Sequence, residues 1–326
     1  MLKPKVTVFM AVFNGEKFIR QAINSILKQT FNDFELLLVD DGSTDNSVSI
    51  IREYSDDRIR LLQNETNLGL FLTRNRGIEE ARGKYFATLD CDDIATKRRL
   101  ELQMKYFQQN KKAAVCAGRV IYIDNHSRRI GTRSPLSGDQ DYYKALLLFT
   151  NIFINSAAMI DMNVLKKFKY RIGYEPAEDY DLFERIAAEY EIGIINDFVC
   201  NYRIHSGNVS IIKSRNRKIG ERVIIERQLR RYGFEYDEDD LNTHLKFTSA
   251  EFDHLYINEC LSWFNKLAKQ NNIKKSLNDN SFKLALAKQW IRFCLYRFRK
   301  KHEIKPLFAR GPFKYSHLLT SFIKAL

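Results

Sequence analysis

Apolar residues in the first ninety positions fall into short runs separated by amphipathic stretches. Val6, Val8 and Phe9 open the first run; 34–39, 58–62 and 84–89 are the next three. Short apolar runs bounded by turn formers read as strands buried on both faces. Between them the period becomes that of a helix. Phe18, Ala22, Ile23, Ile26 and Leu27 share one face, a second helix follows Gly42 and runs to Ile51, and a third runs from Gly69 to about Arg82, with Gly83 as its stop. Strand–helix alternation of this kind predicts an α/β fold, Rossmann-like, with a mainly parallel central sheet flanked by helices.

The same reading continues less regularly. A helix is expected over 97–109, a strand over 113–123, a turn over 124–127, a helix over 141–149 and a strand over 156–160. Residues 175–179 lead into a helix ending near Tyr190, and two strands, 192–195 and 199–204, flank a turn at Asn196 and Asp197. From about 214 onward helical segments dominate, with a polar, acidic break between 231 and 240. This places a domain boundary near residue 215 and a helical C-terminal extension over 216–326.

Polar residues gather where the early strands end: Asn14, Asp40, Asp41, Asp90, Asp92 and Asp93. Ligands of doubly wound sheets sit at those carboxyl ends. Turn formation accounts for Gly42 and Ser43 but not for acids on successive strand ends. Three carboxylates within 90–93 repel one another unless a cation neutralises them. A hard divalent ion that shares its coordination with substrate phosphates fits that demand.

Composition narrows the class. The chain has 326 residues, 44% hydrophobic and 29% charged, as in globular proteins. Its five cysteines lack CxxC spacing, which argues against a zinc site or a disulfide framework and for a reducing compartment. No signal-peptide pattern or bilayer-length apolar run is visible, so a cytoplasmic location is expected. Net charge is +13, and residues 281–326 carry +10 of it, eleven Lys or Arg against the single acid Glu303. High basicity raises the alternative of a nucleic-acid-binding protein, but no recognisable module accompanies the basic residues, and no nucleic-acid partner is expected. A nucleotidyltransferase would need a basic pyrophosphate loop after the first strand, and 11–18 (AVFNGEKF) is not one.

Four stretches, 6–47, 67–94 (ending KYFATLDCDDI), 178–185 (EDYDLFER) and 202–210 (YRIHSGNVS), together resemble the inverting nucleotide-sugar glycosyltransferases of family 2, which have the GT-A fold. The likeness spans about residues 5–212 and is similar in layout to bacterial transferases that extend lipooligosaccharide or capsule chains. It implies a UDP-sugar donor, Mn²⁺ or Mg²⁺, and a glycan or lipid-linked saccharide acceptor, with residues 1–215 as the nucleotide-sugar-binding catalytic domain. Under it, Ala11, Val12, Phe13 and Asn14 line the base pocket, Asp41 accepts from the base imide and Asp40 holds the loop. Asn67 and Arg74 lie beside the nucleotide, Arg74 either pairing with a phosphate or bracing Asp90. Asp90, Cys91 and Asp92 form the DxD motif, Asp92 being the metal ligand and Asp90 tending toward the ribose. Asp93 faces the donor sugar or supports the ligands from behind. His205 would touch the metal or the diphosphate, with Arg203 facing the same charge. Taken alone, Glu178 and Asp179 read as helix-start acids; within the resemblance Asp179 is the general base. The chain departs from the family at Ala95, Thr96, Lys97 and Arg98, where many relatives carry a proline. The helix expected over 282–299 and the basic end to 326 suggest a peripheral position on the anionic inner leaflet through residues 281–326.

Overall fold

The computed structural model describes residues 3–133, 138–208 and 214–301. They form two compact units, the first drawn from 1–137 and 153–214, the second from 138–152 and 215–326.

The first unit holds a nine-stranded sheet: β1 (Val6–Val12), β2 (Phe34–Asp40), β3 (Ile59–Gln63), β4 (Tyr85–Thr88), β5 (Ile94–Ala95), β6 (Ala113–Ile123), β7 (Arg129–Arg133), β8 (Met159–Asp161) and β9 (Glu191–Arg203). The strands run β3-β2-β1-β4-β8-β6-β9-β5, with β7 paired on β6. Helices α1 (Ile19–Leu27), α2 (Ser47–Arg52), α3 (Leu70–Glu80), α4 (Arg99–Gln109), α6 (Met162–Phe168) and α7 (Glu178–Glu189) belong to the same unit, while α5 (Gln140–Leu147) belongs to the second.

The early alternation is realised as read. β1 pairs in parallel with β2 and β4, and β2 with β3, which puts the four acid-tipped or polar strand ends on one edge. Val6, Val8, Met10 and Val12 are fully buried, in one cluster with Ile19, Ala22, Ile23 and Ile26 of α1. Burying an aliphatic side chain of this size contributes about 1.5–3 kcal/mol, so the scaffold behind the strand ends is firmly fixed.

Beyond β4 the sheet is mixed: β6 and β9 pair in parallel, but the remaining pairs are antiparallel. β8 is antiparallel to both β4 and β6, and β7 and β5 are antiparallel to β6 and β9. The two strands expected around Asn196 and Asp197 are one strand, β9. Its register against β6 jumps from Ala117↔Ile194 to Arg119↔Phe198, so the two polar residues sit in a bulge rather than a turn. Ser156 lies in a short 3₁₀ turn, Asn155–Ala157, ahead of β8.

The second unit contains α5 with α8 (Ser214–Arg231), α9 (Glu238–Thr248), α10 (Ile257–Lys274) and α11 (Asp279–Lys301). A boundary near 215 takes no account of 138–152, whose apolar residues are buried inside this unit. Phe149 stacks on His244 with ring centroids 4.4 Å apart. His244 Nδ1 accepts from Trp263 Nε1–H at 3.1 Å, and its Nε2 lies 2.6 Å from the Leu148 carbonyl. Burial pushes this imidazole down to about 4, so it is neutral and structural.

The apolar face of α11 is also committed here. Phe282, Leu286, Trp290 and Phe293 are at most 1% exposed, so the face expected to meet a membrane is core instead. Phe298 is exposed, and the basic stretch 302–326 lies outside the described residues. No helix among the described residues is long and apolar enough to cross a membrane.

Candidate active site

Three loops meet at the carboxyl ends of β1, β2 and β4. After β1, Asn14 adopts a left-handed backbone (φ 50°), its N–H donates to Ser43 Oγ at 2.9 Å and its Oδ1 accepts from Thr44 N at 2.9 Å. This ties the first loop to the second. A Cβ on Gly15 would stand 3.0 Å from Cys91 Sγ, so the first loop packs tightly against the loop after β4. Cys91 is half-buried in that contact, and burial pushes its thiol pKa up, which leaves it a packing residue. Ala11 and Val12 are the strand end itself, and the Val12 carbonyl accepts from Asp41 N at 2.7 Å. Phe13 is 49% exposed and offers an open ring face.

The neighbours Asp40 and Asp41 differ in how they are bonded. Asp41 Oδ1 accepts from Asn64 Nδ2 at 2.7 Å and Leu68 N at 2.9 Å, and Oδ2 accepts from Gly69 N at 2.9 Å. Asp41 is therefore the loop holder, shaping residues 67–69 at the start of α3. Asp40 accepts from Ser43 N at 3.2 Å through Oδ2, and its buried Oδ1 has no partner among the described residues. The Asn67 side chain is exposed beside this loop. Sequence reading missed Asn64; a polar residue one position past β3 carries no signal of its own.

Across the sheet edge, β4 delivers the acidic loop. Arg74, 4% exposed on α3, forms an ion pair with Glu178 at the start of α7 and lies 3.6 Å from Asp90 Oδ1. It also rests over the Tyr170 ring at 5.3 Å. Of the two roles open to Arg74, bracing is the one built: it is buried between carboxylates. Burial alone would lower its pKa, but Glu178 and its acidic neighbours hold it raised. Glu178, read from sequence as a helix-start acid, is thus the buried anchor joining α3 to α7, a pairing 104 residues apart that no local pattern shows.

Asp179 is the next residue, half-buried, with Oδ1 accepting from Tyr180 N at 2.7 Å. Burial and then the adjacent Glu178 raise its carboxyl to about 7, with Arg74 opposing. Asp90 is raised by burial and Asp93 well above the usual carboxylate range by burial and by Asp92 and Asp90. Asp93 Oδ1 accepts from Arg203 N at 2.7 Å, whereas its buried Oδ2 has no partner among the described residues. Ser156 Oγ, also missed in the sequence, accepts from Asp90 N at 3.0 Å and supports the loop from beneath.

Asp92 Oδ2 lies 2.8 Å from His205 Nε2. Gly207 N donates to His205 Nδ1 at 3.1 Å, which makes Nε2 the protonated nitrogen. Arg203 does not face the cleft as expected. It is fully buried over the Phe18 ring at 4.3 Å, and its guanidinium donates to the Asp92 carbonyl, Asp124 carbonyl, Ser127 Oγ and Gln21 Oε1 at 2.8–3.1 Å.

The donor set fits a hard divalent cation held in part by substrate. Asp92 and His205 are two donors side by side, and the crowding that raises Asp90 and Asp93 is what a cation relieves. No group of three or more such side chains is placed to hold a metal among the described residues, so phosphate oxygens and water would supply the rest. Ligation through His205 Nε2 requires its proton to move and the Gly207 bond to be given up.

A family model described as glycosyl transferase family 2 matches residues 7–168. The uncharacterized glycosyltransferase MJ1057 of Methanocaldococcus jannaschii is 34% identical over 224 residues, 67% of this chain and 77% of that protein. The Escherichia coli UDP-Glc:alpha-D-GlcNAc-diphosphoundecaprenol beta-1,3-glucosyltransferase WfgD is 33% identical over 65% of this chain and 82% of its own length. Among solved structures, S. aureus TarS 1-349 in complex with UDP-GlcNAc has TM-score 0.61 at 18% identity, covering 93% of this chain and 89% of that one, a likeness of fold.

Proposed function

The chain belongs to glycosyltransferase family 2, and from that premise we propose that it is an inverting, metal-dependent enzyme. It would move a hexose or N-acetylhexosamine from a UDP-sugar to a hydroxyl of a glycan or lipid-linked acceptor in bacterial surface polysaccharide or lipooligosaccharide synthesis. The observation that carries this reading is the joining of four separate segments: Asp90 and Glu178 share Arg74, and Asp92 meets His205. The names of two relatives bear on the donor: one is a UDP-Glc transferase and the other was solved with UDP-GlcNAc.

The geometry supports a role for each residue under this reading. Phe13 supplies a face for the base, and Asp40, with its partnerless Oδ1, replaces Asp41 as acceptor for the imide N–H. Arg74 fixes Asp90 toward the ribose side. Asp92 and His205 would hold Mn²⁺ or Mg²⁺, which when bound neutralises charge growing on the departing diphosphate. Asp179, near 7 and half-buried, takes the proton from the acceptor hydroxyl as that oxygen attacks the anomeric carbon. One base and one displacement give inversion. The peripheral membrane reading now rests on 302–326 alone, because α11 is core.

The test is a screen of nucleotide-sugars for Mn²⁺- or Mg²⁺-dependent hydrolysis and transfer with wild type, Asp92→Ala and Asp179→Ala. Asp92→Ala should weaken nucleotide binding; Asp179→Ala should bind normally and fail to transfer. Near-normal transfer by Asp179→Ala removes the base assignment, and indifference to UDP in the presence of either metal removes the reading as a whole.

A further inference from the structure

Away from the nucleotide cleft, the first unit has a second concavity of about 670 Å³, lined by Gln21, Asn24 and Ser25 of α1 and Lys28 just past its end, with Ile94, Ala95, Lys97 and Ser127. The spacing of the first four continues one helical face. Ser25 Oγ accepts from Ala95 N at 3.0 Å, which seats β5 against the helix. The volume lies in the range of small-molecule sites, about 300–1,000 Å³.

The groove is selective in its polar chemistry. Its acceptors are used internally: Gln21 Oε1 takes Arg203 and Ser127, Asn24 Oδ1 takes Tyr54 OH at 3.2 Å, and the Ser25 hydroxyl donates to the Ala22 carbonyl at 2.7 Å. With those oxygens engaged, Gln21 and Asn24 have their side-chain amide N–H groups left to offer, beside the ammonium groups of Lys28 and Lys97. Neither lysine has an ion-pair partner among the described residues. Such a lining favours oxyanions, since these four side chains offer hydrogen and two carry charge. Ile94 and Ala95 add a small apolar floor of the kind that packs under the C–H face of a sugar ring.

We propose that this groove binds a negatively charged oligosaccharide, a chain bearing carboxylate or phosphate groups. The site goes beyond the donor and base assignments above and does not depend on them. A concave groove with an apolar floor suits a short polymer segment better than a lipid surface, which meets basic residues on outward faces. Arg203 links the groove to the acidic loop, because it donates both to Gln21 Oε1 and to the Asp92 carbonyl.

The test uses the full chain, a fluorescent oligogalacturonate tetramer, its fully methyl-esterified neutral counterpart, and phosphatidylglycerol vesicles. The charged tetramer should bind saturably, weaken with added salt, and bind at least about tenfold more tightly than the neutral one. Lys28→Ala/Lys97→Ala should lose about tenfold, whereas Lys111→Ala/Lys112→Ala, an exposed pair elsewhere on the same unit, should lose none. All four lysines are exposed, and unchanged thermal unfolding would show the variants folded. Equal binding by the Lys28/Lys97 variant, equal loss in the control pair, equal affinity for the neutral tetramer, or binding to vesicles alone each overturns the proposal. Metal-dependent UDP binding, measured in parallel, reports separately on the nucleotide cleft.

Discussion

Asp179 shows how a single residue acquires its chemistry. Burial and Glu178 raise its carboxyl to about 7, and a cation bound nearby would lower it from there. A base works deprotonated, so kcat/KM should rise about tenfold per pH unit on the acid side and level off at or below pH 7. A profile flat from pH 5 to 8 would remove Asp179 from that role. Asp179→Asn should lower kcat by about 10²–10⁴-fold while UDP affinity measured by calorimetry stays within about twofold. His205→Ala separates differently: it should weaken metal-dependent UDP binding, because it removes the ring that meets Asp92 at 2.8 Å, and thermal unfolding measured alongside separates that loss from any cost to folding. These residues were legible from their motifs. Glu178, Asn64 and Ser156 were not, because each acts on a partner brought near by the fold rather than by spacing.

At the level of elements, the loops after β1, β2 and β4 behave as one piece. Gly42 has φ 74°, and a Cβ there would lie 2.8 Å from Asn67 N. Gly42→Ala should therefore cost about 1–3 kcal/mol in urea unfolding and reduce UDP affinity as well, because Asp41 holds the same 67–69 loop. Retained affinity in a destabilised variant would show that the loop has no part in nucleotide binding. The strand ends were readable because parallel strands buried on both faces leave a strong apolar signature. β9 was misread as two strands because a bulge carrying Asn196 and Asp197 looks, in one dimension, like a turn.

For the whole molecule, the excursion of 138–152 into the helical unit matters most. Gln228 Nε2 donates to the Leu147 carbonyl at 3.0 Å, and Tyr142, Leu146 and Phe149 are buried there. A fragment ending at 215 would leave that apolar segment uncovered. It should bind a hydrophobic dye and aggregate, whereas the full chain should not; a soluble, dye-negative fragment would contradict this. Deleting 302–326 alone tests membrane association without disturbing α11: flotation with phosphatidylglycerol vesicles should fall, and equal recovery with and without the segment removes the inner-leaflet reading.

By itself the sequence determined the first half of the sheet, the acid-tipped strand ends and the family. Local apolar periodicity and short motifs encode those directly. Only the tertiary structure decided which of two adjacent aspartates is consumed by a loop, that Arg74 is clamped between Asp90 and Glu178, that Arg203 points inward, and that the last helix is core rather than surface. Each of those outcomes depends on partners separated in the chain, by as much as 182 residues for Arg203 and Gln21, and which donor meets which acceptor at that range is set by packing, not by neighbourhood in sequence.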